Sequence, residues 1–314
     1  EGKKKIPFSN SAPSKAVIFF PPSLSISHPS PSSLYSRSRS SSASMNHPHK
    51  NNRGAASRTS FMEFPYVSGP RRELMVELVS TLETRLATHL LPCDLPPDVQ
   101  YYQNQTGTAQ ATLHVRSGIQ SSPIDFILGS WLHCQLPSGG ELNITSLSAY
   151  LNLLTDAPNF LFELIQSSPT SMVLILDLPP RKDLVLHPDY LKTFYEDTQL
   201  DRHRRLLEKL PEVKPYTSSS LYVCSVVSPT GILVSIEAQA GETERVVEIC
   251  WGSGWMCVSG EREVKEPERA YLARRDQVSK TKTIEADLGS SLPRLFGQEV
   301  ADRVIKALEK FYNR

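Results

Sequence analysis

One acid stands out for the company it keeps. In NFLFELIQ (159–166), strand alternation turns Phe160, Phe162 and Leu164 to one side and Leu161, Glu163 and Ile165 to the other. Glu163 is then a carboxyl group between two aliphatic side chains. Desolvation there raises a carboxyl pKa, and an acid that stays protonated near neutral pH can donate a proton. The bland alternative is a Glu on an edge strand facing water, or one held in a salt bridge. A second acid, Asp287 in KTIEADLG, ends a helical pattern just before Gly289. Its residue type and place read as a turn or cap, and Glu285 is an equal candidate. His114 and Arg116 share the polar face of ATLHVR, where they would meet a ligand carboxylate or water. Arg181 in PPRKDLVLH could clamp a carboxylate, against the plainer reading of a solvated loop.

Other chemistries find no support. His133 and Cys134 are adjacent in a strand pattern, so they point to opposite faces and cannot act as a base and nucleophile. ILGSW lacks the GxSxG spacing of a hydrolase elbow. Neither GxGxxG nor GxxxxGK[ST] occurs, so no phosphate-binding loop is indicated. The five cysteines, Cys93, Cys134, Cys224, Cys250 and Cys257, form no CxxC, and their odd number and irregular spacing suggest neither a zinc site nor a disulfide framework.

These residues sit on a readable succession of elements. Leu74, Leu78, Leu82 and Leu86 recur every four residues in 70–91 and predict a helix, ended by Pro92, Pro96 and Pro97. Strand patterns follow at ATLHVR, PIDFILGSWLHCQL (with Gly129 as a bulge), ELNITSL, NFLFELIQ and SMVLILDL. Residues 188–210 read as a helix, SLYVCSVVS and GILVSIEA as a hairpin around Ser228–Gly231, and two helical patterns close the chain. Consecutive strands with helices before and after them predict an α+β fold with a mainly antiparallel sheet.

The net charge of +1 hides an asymmetry. Residues 1–60 hold nine Lys/Arg, one acid and seventeen serines, whereas 61–314 hold 25 bases and 32 acids. The basic, Ser-rich, acid-poor segment reads as an organelle transit peptide without a core of its own, and Met45 as an internal start. The acidic body lacks the basic footprint of a nucleic-acid binder. No apolar run is long enough for a membrane-spanning helix. The expected division is a 1–60 tail and a 61–314 catalytic domain.

Longer strings carry a resemblance. FMEFPYVS (61–68), LLPCDLPPDV (90–99), SSPIDFILGSWLHC (121–134), ELIQSS (163–168), LILDLPPRKDLVLHPDYL (174–191), LEKLPEVKPY (207–216) and LPRLFGQEV (292–300) resemble the red chlorophyll catabolite reductases of plants. Over 61–237 and 261–314 the chain is similar to that family, which sits among the ferredoxin-dependent bilin reductases. The resemblance implies an α/β/α sandwich around a central antiparallel sheet. It implies reduction of the open-chain red chlorophyll catabolite to a primary fluorescent catabolite. Electrons would come singly from reduced ferredoxin, with no bound flavin or metal. The implied partners are pheophorbide a oxygenase and a second copy in a homodimer. The implied compartment is the chloroplast stroma, with mitochondria as a second address. The family's two pocket acids fall on Glu163 and Asp287, and the position that goes with the product epimer falls on Val227, an aliphatic residue here.

One stretch departs from the family. Residues 238–260, through GETERVVEICWGSGWMCVSG, replace a long helix, and Gly252, Gly254 and two Trp break any helical period. This reads as a misjoined exon around Cys250–Cys257, with a Cys-x6-Cys metal or disulfide site as the alternative. It keeps a second functional reading open: a catalytically impaired bilin-binding protein that sequesters the phototoxic catabolite.

Overall fold

The computed structural model describes residues 61–136, 139–198, 200–218, 220–237 and 264–313. The 1–60 segment and the 238–260 departure lie outside the described residues, and so do the side chains of Ala286 and Asp287. Alternating apolar and small polar residues build eight strands: β1 Tyr101–Gln103, β2 Ala109–Ser117, β3 Ile124–Gln135, β4 Glu141–Leu151, β5 Phe160–Gln166, β6 Ser171–Asp177, β7 Val213–Pro215 and β8 Ile232–Glu237. They form one sheet in the order β1-β2-β3-β4-β5-β6-β8-β7, antiparallel throughout. Around it lie α1 Gly69–Arg85, α2 Pro97–Gln100, α3 Pro188–Leu191, α4 Leu200–Leu207, α5 Leu221–Val226, α6 Glu268–Thr283, α7 Gly289–Phe296 and α8 Gln298–Tyr312. This is the expected α+β sandwich, an antiparallel sheet between helices.

Two neighbouring rows of cross-strand partners show how the faces divide. Gly129, Leu147, Phe162, Leu176 and Ile232 are register partners across β3, β4, β5, β6 and β8. Leu147, Phe162, Leu176 and Ile232 belong to a core shared with Met75, Leu78 and Val79 of α1 and with Tyr190, Phe194 and Leu207. The adjacent row must face the other way. On that side Leu113, Val115 and Phe126 pack against α7 and α8 through Leu292, Phe296, Val304 and Leu308.

Four local expectations are corrected. Gly129 is in regular register; the irregularity lies between Ile124 and Phe126. Gly129 instead makes room for Phe61, whose ring Cζ would come within 2.3 Å of a Cβ at that position. The 188–210 helix is broken: a π-helical turn, Lys192–Glu196, separates α3 from α4. That wider turn brings Tyr190 and Tyr195, five residues apart, onto the same buried side with Phe194. The first helix ends at Arg85, short of Pro92. Finally, 221–226 is helical, so SLYVCSVVS and GILVSIEA do not pair as the expected hairpin around Ser228–Gly231. Ser220 caps α5 by accepting the Val223 N–H, and the edge of β8 is taken by β7. A short apolar run fits either structure, and the pairing partner decides.

Candidate active site

The adjacent row of register partners, Leu113, Ser130, Ser146, Glu163, Ile175 and Leu233, crosses six strands. All six line a cavity of about 640 Å³. That is ample for a large organic ligand. The cavity has depth because its floor is partly paved with serine. Ser130 and Ser146 hydrogen-bond each other at 2.6 Å, and Ser148 lies beside them. The walls come from α6, from Leu288, Leu292 and Leu295 around α7, and from the 216–227 segment.

Glu163 stands in this floor on β5, an interior strand, opposite Ser146 on one side and Ile175 on the other. It is half-buried. The edge-strand alternative is therefore excluded. Tyr216 lines the same cavity, and burial and then the Glu163 charge push its phenol pKa up. Val227 lines the same cavity. Asp287 falls in the π-helical turn Ile284–Leu288, between the lining residues Thr283 and Leu288; its side chain lies outside the described residues.

His114 and Arg116 are not brought to this site. Alternation from Leu113 turns them to the α1 side of the sheet. There His114 stacks on Phe61 with ring centroids 5.3 Å apart. Its Nε2 is 3.4 Å from Glu83. Burial alone would lower the His114 pKa, but the nearby Cys93 and Glu83 side chains outweigh it and push it up to about 8. Arg116 donates to the carbonyls of Leu91 at 2.9 Å and Leu90 at 3.2 Å, strapping down the segment after α1.

Arg181 does clamp a carboxylate, but the protein's own. It is 1% exposed. Its Nη2 is 2.6 Å from Asp276 of α6, and it donates to the carbonyls of Thr155 at 2.7 Å and Asn152 at 3.0 Å. This fixes the α6 wall against the sheet. Lys182 is likewise buried, held by Asp156 and Glu268. At the rim, α6 presents Tyr271, Arg274, Val278 and Lys282 on one stripe, all exposed. Lys282 is paired with Glu285 at 2.6 Å.

One cavity residue was missed from sequence. Asp177 ends β6 on the cavity side, 1% exposed. Burial raises its pKa above the usual carboxylate range, against the lowering effect of hydrogen bonds from Ser228 and the Leu178 N–H. The available signal was parity: in SMVLILDL the one charged residue shares alternation with Val173 and Ile175. Among the described residues no group of three His, Cys, Asp or Glu could hold a metal ion. A largely apolar cavity with an acid in its floor and cations at its rim suits a large, mostly apolar molecule carrying carboxylates.

Residues 70–310 match the family described as red chlorophyll catabolite reductase (RCC reductase). The chain is 53% identical over 270 residues to "Red chlorophyll catabolite reductase, chloroplastic" of Arabidopsis thaliana, covering 81% of this chain and 84% of that protein. The chain belongs to the red chlorophyll catabolite reductase family. It is also 46% identical over 255 residues to "Red chlorophyll catabolite reductase 1, chloroplastic" of Oryza sativa subsp. japonica, covering 77% of each. The described fold is similar to a solved structure of tomato phytochromobilin synthase in complex with biliverdin. The TM-score is 0.56 with 18% identity, over 76% of this chain and 82% of that one. At that identity the likeness speaks for the fold alone. Membership of the red chlorophyll catabolite reductases makes the chain an oxidoreductase of chlorophyll catabolism.

Proposed function

We propose that this protein reduces red chlorophyll catabolite to the primary fluorescent catabolite, taking electrons one at a time from reduced ferredoxin. The observation that carries the reading is Glu163 in the middle of the cavity floor, on a sheet shared with a bilin-binding fold. One carbon–carbon double bond gains two electrons and two protons. The first electron makes a radical anion of the conjugated bilin, and its new basicity is quenched as the Glu163 O–H breaks and a C–H bond forms. A second electron and a second proton complete the reduction, with Asp287 as the second donor. Both carboxylates are then reprotonated from solvent. No bound flavin or metal is required, since the electrons arrive from outside.

Ferredoxins are acidic, so a local cationic surface must meet them. Arg181 and Lys182 are buried in ion pairs and offer none. Arg274, at the cavity rim, and Arg202 are exposed. The chloroplast stroma is the proposed compartment, with the 1–60 segment as its address and mitochondria as a second one. Pheophorbide a oxygenase is the proposed supplier of substrate, and a homodimer the working form of the 61–314 domain. No helix among the described residues is long and apolar enough to cross a membrane.

The test is an oxygen-free assay of the full chain with reduced ferredoxin and freshly made red chlorophyll catabolite. A blue-fluorescent product dependent on both is the expected outcome. Binding of the pigment without product would instead favour the sequestering protein, and no binding would overturn both readings.

A further inference from the structure

We propose that Asp177 is a positioning residue: by clamping the Ser228–Gly231 turn it fixes Val227 in the cavity wall, and so decides which face of a bound bilin meets Glu163. The inference rests on the bilin-reducing function proposed above. Asp177 and Glu163 are diagonal neighbours on one face of the sheet, because Leu161 pairs with Asp177 and Glu163 with Ile175. That spacing is about 7–8 Å between backbones. Asp177 Oδ2 accepts the Ser228 N–H at 3.1 Å, and its Oδ1 is bonded to Ser228 Oγ at 2.5 Å. Ser228 Oγ also lies 3.4 Å from Thr230 Oγ1, and the Gly231 N–H donates to the Ser228 carbonyl at 3.2 Å.

The packing around this turn has no slack. A Cβ on Gly231 would fall 2.8 Å from Asp177 Oδ1 and 3.1 Å from Val227 Cγ1. The carboxyl group and the Val227 side chain therefore both crowd Gly231, and the turn has no room to shift between them. The other two buried aspartates in this part of the molecule neutralise a cation: Asp156 holds Lys182 and Asp276 holds Arg181. Asp177 has no such ion pair among the described residues. A carboxyl group buried without a counter-ion is costly, and here both hydrogen bonds it makes beyond its own strand end go to Ser228.

The consequence is stereochemical. A trigonal carbon of a flat conjugated ligand can take its proton on either face. Glu163 cannot follow the ligand, since it is set in an interior strand. The wall therefore decides, and Val227 is held there by Asp177 through Ser228.

Three variants of the full chain test this. Ser228→Ala removes the 2.5 Å bond and leaves the carboxyl group. Asp177→Asn keeps its size. Asp125→Asn is the control, removing the remote Lys280 partner at 2.5 Å and so lowering stability without touching the turn. Two readouts are taken: induced circular dichroism of bound biliverdin, which reports the handedness of the bilin twist the cavity selects, and the epimer ratio of the reduced product. The first two variants should move both readouts in the same direction. The ratio should shift by roughly two- to tenfold, the factor corresponding to one lost hydrogen bond. The control should move neither. Lower turnover with an unchanged ratio and unchanged dichroism would reduce Asp177 to a structural role and overturn the inference alone. Dichroism that shifts in the first two variants, with a wild type that binds biliverdin but makes no product, would support the clamp while the reductase reading falls. A wild type that binds no bilin would overturn both.

Discussion

Replacing Glu163 by Gln tests the centre of the mechanism. Gln has the same size and can keep hydrogen-bonding to its surroundings, so the floor between Ser146 and Ile175 should stay filled. What is lost is the transferable proton. A positioned acid contributes about 10²–10⁴ in rate, or roughly 3–5 kcal/mol of activation free energy. The other described acid on this part of the floor, Asp177, is committed to Ser228 and offers no ready substitute. Turnover at saturating substrate should therefore fall by about 10²–10⁴, while bilin affinity changes by less than about threefold. The assay is single-turnover formation of the fluorescent product without oxygen, beside a separate pigment titration. An internal control comes from Tyr216, whose raised pKa owes its larger part to burial and a further part to the Glu163 charge. In Glu163→Gln it should drop yet stay above an ordinary tyrosine. Turnover within about threefold of wild type, with that drop present, would refute the proton-donor role.

Further outcomes follow from the packing. Arg181→Met leaves Asp276 charged and buried and should cost about 3–5 kcal/mol by denaturant titration; a loss under about 1 kcal/mol would mean the clamp does not hold α6. Gly129→Ala drives a methyl group into the Phe61 ring and should cost about 1–3 kcal/mol, largely recovered when Phe61→Leu is added; additive losses would show that the ring is not the obstacle. Asp177 has a pKa raised by burial, so its contribution to stability is fully present below the ordinary carboxylate range and is lost as pH rises through its folded pKa. The stability difference between wild type and Asp177→Asn should therefore shrink with rising pH, and a difference that grows would reverse the assignment.

Much of this molecule is legible in its residues. Alternation in NFLFELIQ already separates Glu163 from Phe160, Phe162 and Leu164, and the same period separates His133 from Cys134. Both hold, because side-chain direction in a strand is a local property of the backbone. The face of a sheet that carries a cavity is not local. Leu113 and His114 are adjacent, yet one faces the cavity and the other faces α1, and nothing within β2 says which. That is settled by where the helices dock. The same limit explains Arg181, whose carboxylate partner lies 95 residues away in α6. It also explains the apolar 221–226 stretch, which coils because β7 occupies the strand edge it would have needed. Asp177 is the instructive case. Its parity was visible in SMVLILDL, but its burial and its hold on Ser228 exist only once β6 has been brought beside the turn before β8. Short-range alternation and composition determined the sheet and the direction of each side chain. Only long-range packing decided which of those directions enclosed a cavity, because a cavity is made by the elements on both of its sides.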